Sequence, residues 1–90
     1  MAKKNPQPGG HFKNEKYLIA LGNHCRVLRR KSGLSINKMA QQSERLSPSV
    51  ILRLEAGKGS ITISSLIRFA AVLNLHPKRL LDFEFDGDLD

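Results

Sequence analysis

The chain has few side chains that could ligate a metal or act as nucleophile and base. It contains one cysteine and three histidines, namely Cys25, His11, His24 and His76. One thiol and three widely separated imidazoles match no zinc-binding spacing, and the sequence has no nucleophile-base motif and no phosphate-cradling loop. We therefore predict that the protein is not an enzyme and uses no metal and no cofactor.

Positive charge is the stronger chemical signal. The chain has 15 Lys and Arg residues against 8 Asp and Glu, a net charge of +7. Five of the eight acids follow Leu81, so the segment up to Leu81 has 15 bases against 3 acids, or +12. A field of this sign attracts a polyanion, and nucleic acid is the usual one. The alternative is that the charge only keeps a small domain soluble.

Composition predicts a single folded domain between two tails. Residues 1–13 combine prolines, glycines and lysines without apolar periodicity, which predicts a flexible basic arm. An apolar fraction of 40% in 90 residues suits one modest core, which we place in residues 14–82. No apolar run approaches the ~18 residues that a membrane span requires, and no signal peptide is recognisable. We expect a cytoplasmic protein without a membrane segment.

Apolar periodicity predicts the first helix. Leu21, Cys25 and Leu28 recur at helical spacing, and charged residues occupy the intervening positions. The pattern begins at Asn14 and ends near Gly33. Because Cys25 lies on the apolar stripe, we interpret it as a small core residue.

Capping residues predict the next two helices. Ser35 offers an N-cap to a helix over residues 36–43. The pair Ser47-Pro48 begins another, since a capping hydroxyl is followed by proline at the first helical position. This third helix, Ser47–Ala56, stops at Gly57, which suits a left-handed C-terminal cap.

The remaining sequence completes an all-α architecture of five helices. Thr62 caps a fourth, strongly apolar helix that ends at Asn74, and Pro77 begins a short fifth helix. Residues 83–90 form an acidic tail with interspersed apolar residues, which is either frayed or a short strand-like arm.

Six stretches between about Leu21 and Leu81, roughly two thirds of the chain, form an ordered pattern. They are Cys25-Arg26-Val27-Leu28-Arg29, Gly33-Leu34-Ser35, Met39-Ala40, Leu46-Ser47, Ile51-Leu52-Arg53-Leu54-Glu55-Ala56-Gly57-Lys58 and Leu66 through Leu75. Together they resemble the lambda-repressor-like (Cro/Xre) helix-turn-helix family. The resemblance implies a five-helix domain whose third helix reads the major groove of double-stranded DNA, in a transcriptional regulator of the repressor type.

The resemblance also implies which residues read bases. It places Ser47, Pro48, Ser49, Leu52 and Arg53 at groove-facing positions. Arginine pairs with two acceptors of guanine, whereas a serine discriminates less between bases. Pro48 and Leu52 make the reading face poor in hydrogen-bonding groups, which favours thymine-methyl contacts. The alternative for Arg53 is a surface ion pair with Glu44 or Glu55.

A second set of residues is implied to contact phosphates. It consists of hydroxyl, amide and ammonium side chains around the second helix and after the third. Such contacts give register and salt-sensitive affinity but no sequence information. The alternative is a solvated basic face. The five residues are Ser35, Asn37, Lys38, Lys58 and Ser60.

The same resemblance implies a partly buried ion pair between Arg29 of the first helix and Glu55 of the third. The sequence departs from the family pattern in two places. The turn Ser43-Glu44-Arg45-Leu46 is one residue longer than usual, and Ile36 replaces a polar residue that often contacts phosphate. The angle of the third helix and that phosphate contact are therefore open.

Partners beyond DNA are also predicted. Two half-sites one helical turn apart, ~34 Å, favour a homodimer, with the fifth helix, Phe83 and Phe85 as the candidate interface. Alternatively, Phe85 packs within the chain against Tyr17 or Phe12. A rival function is an antitoxin-type DNA-binding module that also binds a protein toxin. A further possibility is that the acidic tail covers the basic face and competes with DNA.

Overall fold

The computed structural model describes residues 14–59 and 61–89, and these contain helices and no strand. The predicted arm 1–13 and Ser60 lie outside the described residues. None of the described helices is long and apolar enough to cross a membrane. The elements, in chain order, are α1 (Glu15–Lys31), α2 (Ile36–Gln41), α3 (Pro48–Ala56), α4 (Ile63–Val72) and a 3₁₀ helix (Pro77–Leu81).

Each α-helix begins at a polar side chain that accepts a hydrogen bond from the backbone of the first turn. Asn14 Oδ1 accepts from the Tyr17 amide at 2.9 Å. Ser35, Ser47 and Thr62 cap α2, α3 and α4 in the same way. These caps satisfy amides that have no partner within the helix. The helix starts predicted from capping residues are confirmed.

Two helix ends differ from the prediction. α2 ends at Gln41 rather than near Ser43, because the Ser43 hydroxyl accepts a hydrogen bond from the Arg45 amide at 3.2 Å and starts a turn instead. α4 ends at Val72, two residues before Asn74, which adopts the left-handed conformation with φ of 60°.

The predicted fifth α-helix is a 3₁₀ helix. It has five residues, and the Arg79 amide donates to the His76 carbonyl at 2.9 Å, three residues back. A segment this short can form too few of the hydrogen bonds between residues four apart that sustain an α-helix. The tighter 3₁₀ turn suits it because its hydrogen bonds join residues three apart. The described chain therefore has four α-helices rather than five.

The hydrophobic core is built from buried side chains of all four α-helices, the turn before α3 and the 3₁₀ helix. α1 packs along α3, α2 packs against α3, and the 3₁₀ helix closes the space between α4 and α1. Cys25 is 0% exposed, which confirms its prediction as a core residue. The largest fully buried side chains are Phe69, Met39, Leu46, Ile51, Leu54, Leu80 and Cys25.

A glycine lets α1 and α3 approach backbone to backbone. A Cβ placed on Gly22 would lie only 2.5 Å from the carbonyl oxygens of Leu54 and Glu55. Real carbon and oxygen atoms do not approach so closely, so any side chain at this position would force the helices apart. Gly22 thus fixes the depth at which α3 lies on α1.

The acidic tail folds back along α1 without regular secondary structure. Phe85 packs edge-on against Tyr17 with 5.0 Å between ring centroids, and Phe83 lies 5.1 Å from the same ring. The Asn14 side-chain amide donates to the Asp88 carbonyl at 2.6 Å. The tail is therefore neither frayed nor a strand over residues 82–89, and the alternative in which Phe85 packs against Tyr17 is the observed one.

Candidate nucleic-acid interface

The segment between α2 and α3 is a structured turn. It runs from Gln42 to Ser47, and Leu46 within it is buried. The Leu46 amide donates to the Ser43 carbonyl at 3.4 Å. The buried leucine and the Ser43 hydrogen bonds hold α3 against α2 even though the turn is longer than the family pattern.

α3 divides its side chains between two faces. Ile51, Leu54 and Glu55 are buried, whereas the residues predicted to read bases are exposed. Residues three and four apart share a helix face, so the structure brings Ser49, Leu52 and Arg53 together on one open surface. The exposed residues of this reading face are Ser47, Pro48, Ser49, Leu52 and Arg53.

The reading face offers unequal chemistry to a ligand. Arg53 forms no ion pair and no side-chain hydrogen bond with another described residue, so its donors are available. The predicted alternative, pairing with Glu44 or Glu55, is wrong for the described residues. Ser47 is partly used, because its hydroxyl caps α3 by accepting from the Val50 amide at 3.2 Å. Leu52, 55% exposed, supplies an apolar contact.

A buried ion pair fixes α3 relative to α1, as the family resemblance implied. Arg29 donates through Nε to Glu55 Oε2 at 2.6 Å and through Nη2 to Oε1 at 2.9 Å. Arg29 is 7% exposed and Glu55 3%. The hydrogen bonds from Arg29 to Glu55 raise the pKa of the guanidinium, against an opposing effect of burial.

Two further groups complete this network, and sequence reasoning missed both. Arg29 Nη1 donates to the Leu34 carbonyl at 2.9 Å, which ties the loop before α2 to the same pair. Arg26 Nε lies 3.5 Å from Glu55 Oε1. The spacing of Arg26 and Arg29, three residues apart on α1, is the signal that could have revealed a shared acid.

The network also shapes the charge of the surface. The carboxylate of Glu55 is buried between two arginines, so it contributes little negative field beside the exposed residues that follow α3. Lys58 lies there and is exposed. This arrangement leaves a positive surface next to the reading face, which is favourable for a phosphate.

The residues predicted to contact phosphates are open where the structure describes them. Ser35, Asn37, Lys38 and Lys58 are exposed, and the Ser35 hydroxyl accepts from the Lys38 amide at 3.1 Å. Ser60 lies outside the described residues. Ser35, Asn37 and Lys38 lie at the start of α2, whereas Lys58 follows the end of α3. The set therefore comes from segments before and after α3.

The thiol of Cys25 has the opposite properties to those of a nucleophile. Burial, together with the nearby Glu55 carboxylate, raises the pKa of Cys25 from 9.0 to about 12. Within residues 14–59 and 61–89, no three His, Cys, Asp or Glu side chains cluster in a way that could hold a metal ion.

The model of the helix-turn-helix family HTH_3, of the Cro/C1 type, matches residues 26–80, more than half of the chain. The chain belongs to the helix-turn-helix family. The match spans α2, the turn and α3, together with the charged pair between α1 and α3. It confirms the family predicted from the sequence and, at the level of class, a DNA-binding regulator.

Solved structures share this helix-turn-helix fold. The restriction-modification controller protein C.AhdI from Aeromonas hydrophila is 28% identical with a TM-score of 0.65, over 70% of this chain and 94% of that one. The DNA-binding domain of BldD is 25% identical with a TM-score of 0.68, over 76% of this chain and 97% of that one.

A third structure supports the fold alone. The clp gene regulator ClgR from C. glutamicum is 24% identical with a TM-score of 0.63, over 72% of this chain and 83% of that one. None of the three proteins is described as an antitoxin. No curated protein matches the chain significantly.

Proposed function

We propose that this helix-turn-helix protein is a sequence-specific transcriptional repressor that reads the major groove of double-stranded DNA with α3. The observation that carries the proposal is the division of α3 into a buried face anchored by Glu55 and an open face bearing Ser49, Leu52 and Arg53. An anchored helix with free donors on its outer face has the form that groove reading requires.

The roles of the individual side chains follow from their chemistry. The planar guanidinium of Arg53 can donate two parallel hydrogen bonds to O6 and N7 of guanine. Ser49 can donate or accept with several bases. Leu52 can contact the methyl group of thymine. Arg53 is therefore the residue expected to contribute most to discrimination between sequences.

Phosphate contacts would set register and affinity without reading sequence. We assign them to Ser35, Asn37, Lys38, Lys58 and Ser60. Each neutralised phosphate releases counterions, so affinity should fall as salt is added. The restriction-modification controller and the DNA-binding domain of BldD, both similar in fold, support a regulatory role on DNA.

Repression is the simplest regulatory outcome. A protein bound over a promoter needs only to occupy the site in order to exclude other proteins, and it requires no activating surface. We also propose that two copies bind together, because a pair of half-sites ~34 Å apart gives affinity and specificity that one short helix cannot supply. Such a protein would act inside the cell, where its DNA target is located.

Part of the predicted dimer interface is used within the chain. Phe83 and Phe85 pack on Tyr17 within the chain and are only partly exposed. Leu81 on the 3₁₀ helix stays exposed, and so do Ile63 and Ile67 on α4. Sedimentation equilibrium with and without an operator duplex tests the dimer. A monomer at high micromolar concentration, bound singly to DNA, would refute it.

The proposal is tested by fluorescence-anisotropy titration of duplexes that include the promoter region of the protein's own gene. Wild type, Arg53→Ala and Lys58→Ala are compared at two salt concentrations. We expect Arg53→Ala to lose about 1 to 3 kcal/mol on one preferred duplex only. Lys58→Ala should weaken all duplexes alike and lower the salt slope by about one.

Lys78→Ala is the matched control for lost charge. Lys78 is exposed on the 3₁₀ helix, which packs against α1 and α4 rather than forming the reading face. It should affect binding less than Lys58→Ala. If all duplexes bind equally and Arg53→Ala is silent, the protein does not read sequence with α3, and the proposal fails.

A further inference from the structure

The guanidinium of Arg53 rests directly on a glycine of the loop after α3. A Cβ placed on Gly59 would lie 2.6 Å from Arg53 Nη2, 3.6 Å from Cζ and 3.7 Å from Nε. The end of the Arg53 side chain thus occupies the space that a side chain at position 59 would fill. A side chain at position 59 would therefore require the end of the Arg53 side chain to move.

The rest of the Arg53 side chain borders a groove. The groove is lined by Val50 of α3 and by Ile61, Thr62 and Ser65 at the start of α4. The exposed Arg53 side chain therefore lies between this groove and Gly59. Arg53 makes no hydrogen bond to the described residues, so none of its donors is used in this position.

We propose that Gly59 is a positioning residue that pre-orients the Arg53 guanidinium for base recognition. A flexible arginine loses rotamer freedom when it binds, whereas one already held in place loses less. Gly59 would thus increase discrimination without contacting DNA. The inference rests on the proposed function, since it assumes that Arg53 reads a base.

A second role of Gly59 must be separated from this one. Gly59 has φ of 73°, a conformation that residues with a Cβ rarely adopt, so alanine would strain the loop in any case. Gly33 offers the matched control. It has φ of 77°, but a Cβ placed on it would meet nothing within 4 Å. Gly33→Ala therefore introduces similar backbone strain without displacing Arg53.

The experiment is a double-mutant cycle on DNA discrimination. Wild type, Gly59→Ala, Arg53→Ala, the double variant and Gly33→Ala are titrated with a preferred duplex and with one in which the base pair read by Arg53 is replaced. Thermal unfolding is measured in parallel. We expect Gly59→Ala to reduce the discrimination ratio about fivefold or more, within the range that one bidentate arginine contact supplies.

The cycle has distinct outcomes. The proposal predicts no further loss when Gly59→Ala is added to Arg53→Ala, and unchanged discrimination in Gly33→Ala despite a similar loss of stability. Full discrimination by Gly59→Ala, or an equal loss in both backgrounds, would overturn it while leaving the proposed function intact. If Arg53→Ala itself leaves discrimination unchanged, both proposals fail.

A measurement on the wild-type protein covers the case in which Gly59→Ala does not fold. The heteronuclear NOE of the Arg53 Nε–H group in the absence of DNA reports whether the side chain is ordered. A value close to that of the α3 backbone supports pre-orientation. A freely rotating side chain would overturn it.

Discussion

The two faces of α3 differ in burial and in the interactions that their side chains form. Ile51, Leu54 and Glu55 are buried against α1 and the core, and Glu55 meets two arginines. Leu52 and Arg53, which lie between these residues in sequence, are exposed. Arg53 has no ionic partner among the described residues. The side chains of the buried face form their contacts and ion pairs within the chain, whereas those of the exposed face do not.

This difference separates stability from recognition within a single helix of nine residues. Substitutions on the buried face should change the free energy of unfolding, because they disturb packing or leave a charge without its partner. Substitutions on the exposed face should change DNA binding with little effect on unfolding. Stability and DNA binding should therefore respond to different substitutions in α3.

The largest effect is expected at the buried ion pair. Glu55→Ala leaves Arg29 buried without its carboxylate, which should lower the free energy of unfolding by ~4 kcal/mol. Arg26→Ala is the control, because Arg26 is 41% exposed and lies 3.5 Å from the same carboxylate; it should cost about 0–1 kcal/mol. Urea unfolding measures both. Equal effects would mean that burial does not distinguish the two arginines.

The second effect depends on pH and concerns Cys25, which the same carboxylate and burial keep protonated. The pKa of the thiol is raised from 9.0 to about 12 in the folded chain. Above pH 9 the unfolded chain releases a proton that the folded chain keeps, so stability is complete below pH 9 and falls as pH rises. The slope from this group is about 1.4 kcal/mol per pH unit.

Cys25→Ala removes the titrating group and is the control for that slope. Its stability at neutral pH will be lower because of the lost packing, so the change with pH is compared rather than the level. Lysine and tyrosine titrations contribute equally to both proteins. If wild type and Cys25→Ala lose stability in parallel from pH 8 to 10.5, the thiol ionises normally in the folded protein.

Ser47 lies where the two faces meet, because it caps α3 and is exposed to solvent. Ser47→Ala should cost about 1 kcal/mol of stability, since the Val50 amide loses its acceptor. Ser47→Asp restores the acceptor but adds a negative charge near the expected phosphates. We expect Ser47→Asp to recover thermal stability and to bind DNA more weakly than Ser47→Ala. Equal binding by the two variants would place this end of α3 away from DNA.

The smallest effect on stability is expected at Leu52. Because its side chain is 55% exposed, Leu52→Ala should change the unfolding free energy by less than about 0.5 kcal/mol. Its effect should appear only in the preference for thymine within the bound sequence. A loss of stability above 1 kcal/mol would show that this position belongs to the packed face.

Local sequence signals predicted much of this fold. The polar caps at Asn14, Ser35, Ser47 and Thr62 each act within three residues, so they can be read directly from the chain. The ion pair between Arg29 and Glu55 was predicted from the family resemblance, because the two residues are 26 positions apart in sequence.

Long-range contacts could not be read in the same way. Gly22 looks like a weak helix former in the sequence, and only the approach of α3 shows why its missing side chain matters. The contact of Gly59 with Arg53 and the docking of Phe85 on Tyr17 likewise depend on where distant segments meet. The sequence pattern predicted that this face of α3 is exposed, but the prediction that the face binds DNA bases came from the resemblance.

The most direct test of the central claim, that the exposed face of α3 reads DNA sequence, is selection from a pool of random duplexes with wild type and Arg53→Ala in parallel. We predict that wild type enriches a recurring sequence containing a guanine, and that Arg53→Ala loses the preference at that guanine while keeping its thermal stability. Enrichment of no sequence by wild type, or of an identical sequence with equal strength by both proteins, would contradict the claim.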